Sequence, residues 1–122
     1  MNEKITIINY GIGNIWSIRS ALSYLNFETE VTDSPEKIAK STSLILPGVG
    51  SFRKAMESLR SSGIDLAINE AVKKRGSKIL GICLGMHLLA NSSTEDGYSE
   101  GLGLIDAKAV RFDIDKLCPL KV

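Results

Sequence analysis

The chain carries one histidine, one tryptophan, three prolines and two cysteines in 122 residues. The cysteines, Cys83 and Cys118, form no close-spaced framework, so neither a disulfide scaffold nor a metal site is expected, and a reducing cytoplasm is. No charge of one sign dominates: the formal net charge is +1. That balance offers no electrostatic footprint for nucleic acid or for an anionic membrane. Long hydrophobic runs are missing, so no membrane span is expected. Met1-Asn2-Glu3-Lys4 leads straight into a strand-like run, without the basic and apolar regions of a secretory signal. Hydrophobic residues make up 43% of the chain, enough for one globular domain with one modest core.

What is present alternates between two periods. Lys4 to Ile8, Thr29 to Thr32, Ser43 to Leu46 and Lys78 to Ile82 are short β-like runs. Between them stand helical patterns. Ile15, Ile18, Leu22 and Leu25 recur at helical spacing behind the candidate N-cap Asn14. Ser34-Pro35 opens a short helix with a cap and a first-turn proline. Phe52 to Leu59 and Ile64 to Lys74 read as helix, the second closed by Gly76, and Leu84 to Asn91 follows the fourth strand. Ala107 to Phe112 reads as a later, peripheral strand. Met86, Leu88 and Leu89 are assigned to the core, Asn91 to Gly97 to a polar loop. Four βα units in series predict an α/β fold, a mostly parallel sheet with helices on both faces. No internal repeat or linker interrupts it.

Ligands of such folds bind beyond the carboxyl ends of the strands. Three unusual loops fall there: Asn9-Tyr10-Gly11-Ile12-Gly13-Asn14, Pro47-Gly48-Val49-Gly50-Ser51, and Gly81-Ile82-Cys83-Leu84-Gly85. The third is a small-x-nucleophile-x-small pattern between a strand and a helix, the sequence form of a nucleophile elbow. Its turn is too tight for flanking side chains, and it sets Cys83 at a helix N-terminus, where free N–H groups favour an anion. Cys83 is therefore read as the nucleophile of an acyl-transfer enzyme, against the plainer reading of a buried cysteine in an ordinary turn. Pro47-Gly48-Val49-Gly50 can turn backbone N–H groups toward an oxyanion, or it can be a simple strand-to-helix turn. The first loop resembles half of a dinucleotide fingerprint but lacks the third glycine, so a structural turn or partner surface is expected and no cofactor. His87, the sole imidazole, follows Cys83 by one helical turn. A thiolate needs a base within reach, so His87 is one reading of that base; the elbow aims its nucleophile away from the helix that follows, so His87 is expected instead to line a substrate pocket or pack beneath it. Glu95 and Asp96 lie close enough to the elbow for one of them to hold a substrate ammonium. Cys118 has no motif and is expected to be inert.

These segments together resemble the class I, or triad, glutamine amidotransferases of flavodoxin-like fold. Within them they are most similar to the branch of glutaminase subunits serving imidazole-glycerol-phosphate synthesis, a step of histidine biosynthesis. The carrying residues are the Asn9-to-Asn14 and Pro47-to-Phe52 loops, Ala55-Met56, Gly81 to Met86, and Gly101-Leu102-Gly103-Leu104-Ile105 leading to Val110-Arg111-Phe112. The resemblance implies that Cys83 attacks the side-chain amide of glutamine, forming a glutamyl thioester and releasing ammonia. It implies an oxyanion hole from backbone N–H groups at Val49, Gly50 and Leu84, with His87 and Glu95 as substrate-binding residues. It further implies a heterodimer with a cyclase subunit, a (β/α)8 barrel that receives the ammonia, and a peptide flip in the Pro47–Gly50 loop that switches the glutaminase on.

Two departures shape the expectation. Position 87 is usually Gln in this family and is His here. The family's catalytic His and Glu lie in a later His-x-Glu segment with no counterpart in these residues. The chain is therefore expected to be the N-terminal portion of one amidotransferase domain, C-terminally incomplete, exposing apolar sheet and inactive by itself. Alternatives are a paralogue supplying ammonia for amidation of a surface-polysaccharide sugar, a non-catalytic interface module, and a different cysteine hydrolase on a flavodoxin-like sheet.

Overall fold

A computed structural model describes residues 4–113 of the chain. Four parallel strands, β1 (Ile5–Ile8), β2 (Thr29–Thr32), β3 (Ser43–Leu46) and β4 (Lys78–Gly81), form the main sheet in the order β2-β1-β3-β4. Five α-helices connect or follow them among the described residues: α1 (Ile15–Tyr24), α2 (Pro35–Lys40), α3 (Phe52–Ser62), α4 (Ile64–Asn69) and α5 (Leu84–Leu88). The strands are rich in β-branched residues and Leu, which suit a pleated surface covered on both sides. The helices start where side-chain caps satisfy free N–H groups. Asn14, Ser34 and Ser51 each accept from the backbone three residues on.

The strand order places the active end. From β1 the chain steps outward to β2, then crosses back over β1 to reach β3. Parallel crossovers share one hand, so that reversal puts α1 and α2 on opposite faces. Side chains alternate accordingly. Ile8, Leu44 and Leu46 join the core made with Ile38, Met56, Leu59, Ile64 and Ile68 from α2, α3 and α4. Ile5, Ile45 and Leu80 point the other way and share a groove of about 230 Å³ with Leu22 of α1. That face is thinly covered toward its β4 edge. Helix α1 buries none of its residues, β4 is an edge strand, and Leu80 is 57% exposed. The expected open apolar sheet is present only at the β4 edge, because Ile7 and Ile45 on the same face are buried. The reversal point lies between β1 and β3, so the loops after these two strands flank the crevice where α/β folds bind ligands.

Downstream the structure departs from the sequence expectation. The helix read as Leu84 to Asn91 ends at Leu88, and β5 (Ala90–Ser93) begins where helix had been expected to continue. It pairs antiparallel with β6 (Ser99–Glu100) and parallel with β7 (Ile105–Ala109) in a second, three-stranded sheet. The reason is tertiary. Gly101, Leu102, Gly103 and Leu104 donate N–H bonds to the carbonyls of Asn91, Leu88, Ala90 and Leu89, drawing that backbone out of helix. The polar loop expected from Asn91 is thus partly strand, with Ser92 and Ser93 buried. The late strand lies at Ile105–Ala109 rather than Ala107 to Phe112. Met86 is 54% exposed, not core, because Leu84 and Leu88, one turn apart, take the inward face of α5. The helix expected over Ile64 to Lys74 changes to a π-helical turn at Glu70–Lys74. Cys118 lies outside the described residues. Among the described residues no helix is long and apolar enough to cross a membrane.

Candidate active site

The elbow is built as its spacing requires. Cys83 holds φ 58° and ψ −123°, a backbone conformation costly for a residue with a Cβ, by about 1–3 kcal/mol. Such strain persists only where the surroundings enforce it, and the flanking glycines show how. A Cβ on Gly85 would lie 1.9 Å from the Leu46 carbonyl oxygen, and one on Gly81 would lie 2.6 Å from the Gly85 oxygen. The end of β3, the end of β4 and the start of α5 therefore meet backbone to backbone. Cys83 is exposed at their junction.

The loop after β3 closes over this junction. Gly48 has no room for a side chain: a Cβ there would meet the Tyr10 hydroxyl at 2.7 Å and the Gly85 nitrogen at 2.9 Å. Its carbonyl accepts a hydrogen bond from the Leu84 N–H at 3.1 Å. The next N–H groups are also taken, Gly85 donating to the Ile82 carbonyl and Met86 to the Cys83 carbonyl, both at 3.0 Å. The free N–H groups expected beside Cys83 are thus satisfied internally in this conformation, and the Leu84 donor is capped by the loop. Beyond Gly48 the loop loosens. Val49 is 53% exposed, and Gly50, at φ 91°, has nothing within 4 Å of the position a Cβ would take.

The two polar residues assigned to substrate are brought together. His87 and Glu95 line one cavity of about 370 Å³ with Ser93, Ala109, Val110 and Arg111. Among the described residues no hydrogen bond joins His87 to Cys83; the imidazole belongs to this cavity. Glu95 sits where β5 ends, its N–H donating to the Ser93 hydroxyl at 3.1 Å. The segment after it is gripped by Arg53, from the first turn of α3. That guanidinium donates to the Asp96 carbonyl at 2.7 and 3.2 Å and to the Tyr98 carbonyl at 3.2 Å. Farther along α3, Arg60 reaches the Glu100 carbonyl at 2.6 Å. The same helix thus begins at the glycine loop and holds the Glu95 segment. Sequence reading passed over Arg53, because no local pattern shows that its guanidinium spans to carbonyls more than forty residues on. Among the described residues no group of three or more His, Cys, Asp or Glu is placed to hold a metal ion.

Residues 4–118 match the CobB/CobQ-like glutamine amidotransferase domain. The chain belongs to this glutamine amidotransferase family. Its relatives include the Methanococcus maripaludis protein named imidazole glycerol phosphate synthase subunit HisH 2, 48% identical over 110 residues, which are 90% of this chain and 54% of the relative. A Geobacillus protein named imidazole glycerol phosphate synthase subunit HisH is 48% identical over 107 residues, 88% of this chain and 50% of the relative. The chain thus spans about half the length of the curated relatives it matches. A crystal structure of a glutamine amidotransferase superposes with a TM-score of 0.75 at 22% identity, over 88% of this chain and 56% of that one, which shares the fold. The amidotransferase assignment agrees with the α/β sheet expected from the residues alone.

Proposed function

We propose that this chain is the N-terminal portion of one amidotransferase domain whose activity is glutamine hydrolysis through Cys83. The observation that carries the reading is the backbone of Cys83, held at φ 58° by two glycines that admit no side chain. In the proposed reaction Sγ bonds to the carboxamide carbon of glutamine. The carbonyl oxygen becomes an oxyanion and re-forms the carbonyl as the C–N bond breaks, and the proton given up by the thiol ends on the nitrogen, which leaves as ammonia. Water then cleaves the thioester to glutamate. The Leu84 N–H is one donor for the oxyanion once the Gly48 carbonyl turns away. Rotating the Gly48–Val49 peptide removes that carbonyl and offers the Val49 N–H in its place, with Gly50 supplying the freedom to move. The substrate's ammonium is assigned to Glu95, and His87 to a polar contact with its head group.

The relatives' names make them subunits of imidazole glycerol phosphate synthase. That supports a cytoplasmic role in histidine biosynthesis, with the ammonia passed to a partner cyclase, a (β/α)8 barrel, in a heterodimer. The 122 residues hold a single imidazole, His87, and among the described residues no hydrogen bond joins it to Cys83. We therefore assign no general base to this chain by itself and expect no turnover from it. The test is ammonia release from glutamine by the purified chain and by Cys83→Ala. Equal, background rates are expected. Steady release abolished in Cys83→Ala would overturn the assignment of inactivity and make His87 the base.

A further inference from the structure

The Pro47–Ser51 loop is fixed at both ends, at Ser51 by the cap of α3 and at Pro47 from outside the loop, and is loose between them. The Tyr10 hydroxyl donates to the Pro47 carbonyl at 2.6 Å in a buried hydrogen bond between loops 37 residues apart. Tyr10 is itself tied down, its carbonyl accepting from the Ser58 hydroxyl of α3 at 2.7 Å. Pro47 is fully buried, and Gly13 packs on its other side so closely that a Cβ there would lie 2.9 Å from the Pro47 Cβ. The Pro47 carbonyl is thus held by a phenol anchored to a helix, and its ring by the backbone of the first loop. One residue later Gly48 packs closely on the Tyr10 hydroxyl and the Gly85 nitrogen, and its carbonyl is held by one 3.1 Å bond from the Leu84 N–H. Beyond that, Val49 is exposed, and open space surrounds the position a Cβ would take on Gly50.

We propose that Tyr10 is a positioning residue that pins the Pro47 carbonyl, so that rotation of the loop is confined to the Gly48–Val49 peptide and the Leu84 N–H is either capped or free. Without the hydroxyl, Pro47 is left with an unpaired buried acceptor and the loop pivots from an earlier point. The Gly48 carbonyl then no longer meets the Leu84 N–H squarely. The inference rests on the reading of the loop as the cover of an oxyanion hole.

The experiment is amide hydrogen exchange by NMR on the isotope-labelled 122-residue chain and on Tyr10→Phe, which keeps the ring. The expected result is Leu84 N–H exchange faster by about tenfold in Tyr10→Phe, with core amides of α3 and α4 such as Leu59 and Ile68 unchanged. A merely structural role would speed all of these together, and that outcome, or a Leu84 rate unchanged in a folded variant, overturns the proposal. Should Tyr10→Phe fail to fold, the wild-type chain decides. A slowly exchanging Tyr10 hydroxyl proton in contact with the Gly48 amide supports the pin, and its absence contradicts it. Selective loosening at Leu84 in a chain whose Cys83 ignores glutamine-like electrophiles would keep the pin and sink the glutaminase reading, so the two failures are distinguishable.

Discussion

The carbonyl oxygen of Gly48 and the backbone N–H of Leu84 are joined at 3.1 Å, between the loop after β3 and the first residue of α5. This bond decides what the elbow can do. It occupies the donor that directly follows Cys83, and its acceptor belongs to a glycine whose side-chain space is filled by the Tyr10 hydroxyl and the Gly85 nitrogen. The conformation is a closed one, in which the proposed nucleophile is exposed and the donor proposed for its oxyanion is capped.

Elbow strain is measurable through the residue at its centre. Glycine relieves the steric cost of φ 58°, whereas alanine retains it. Cys83→Gly is expected to be more stable than Cys83→Ala by about 1–2 kcal/mol in denaturant unfolding. Equal stabilities would mean that the elbow is not strained.

Gly85 tests the backbone-to-backbone junction. A methyl group there would sit 1.9 Å from the Leu46 oxygen, which is fixed in β3, so no side-chain movement relieves the clash. Gly85→Ala is expected to cost at least about 3 kcal/mol, read as a lowered unfolding midpoint. A loss below about 0.5 kcal/mol, the size of an ordinary surface change, would contradict the packing described.

Alkaline stability reports on the buried phenol. Burial pushes the Tyr10 hydroxyl well above its ordinary value of 10.0. Above pH 10 the unfolded chain then releases this proton and the folded chain keeps it, so the contribution is complete below that pH and declines as pH rises toward the folded value. Stability should fall with rising pH from about pH 10, and less steeply in Tyr10→Phe. Lys4, raised by its hydrogen bond and ion pair with Glu30, loses its contribution in the same direction and accounts for slope that remains. Parallel curves for the two proteins would rule out a buried phenol.

Arg53 tests how the Glu95 segment is held. Its three hydrogen bonds reach two carbonyls, a geometry suited to a planar fork and not to an ammonium. Amides of residues 97–99 are expected to exchange several-fold faster in both Arg53→Ala and Arg53→Lys, about equally. Full rescue by lysine would show that charge alone suffices.

What could be read from the sequence followed local rules. The parallel strands are short β-branched or leucine runs, and Asn14 and Ser34-Pro35 carry their own capping chemistry. The glycines around Cys83 are at the spacing that an elbow needs, so the most constrained feature was also the most legible. Legibility failed where distant backbone decides. Leu88-Leu89-Ala90 is apolar enough for a helix or a strand, and only bonding to residues 101–104 selects the break. Met86 looks like core until Leu84 and Leu88 are seen to take the inward face of α5. The bonds of Gly48 to Leu84, Tyr10 to Pro47 and Arg53 to Asp96 join segments about 36 to 43 residues apart, beyond any periodicity, though the glycines of the loop marked where to look.

The central claim is that Cys83 is the nucleophile for a glutamine side chain. The most direct measurement is mass-spectrometric mapping of the chain after exposure to a glutamine analogue bearing an electrophilic ketone in place of the carboxamide. The account predicts a single adduct on Cys83, suppressed by excess glutamine and not by excess glutamate. An adduct that excess glutamine leaves undiminished, or one placed elsewhere on the chain, would contradict it.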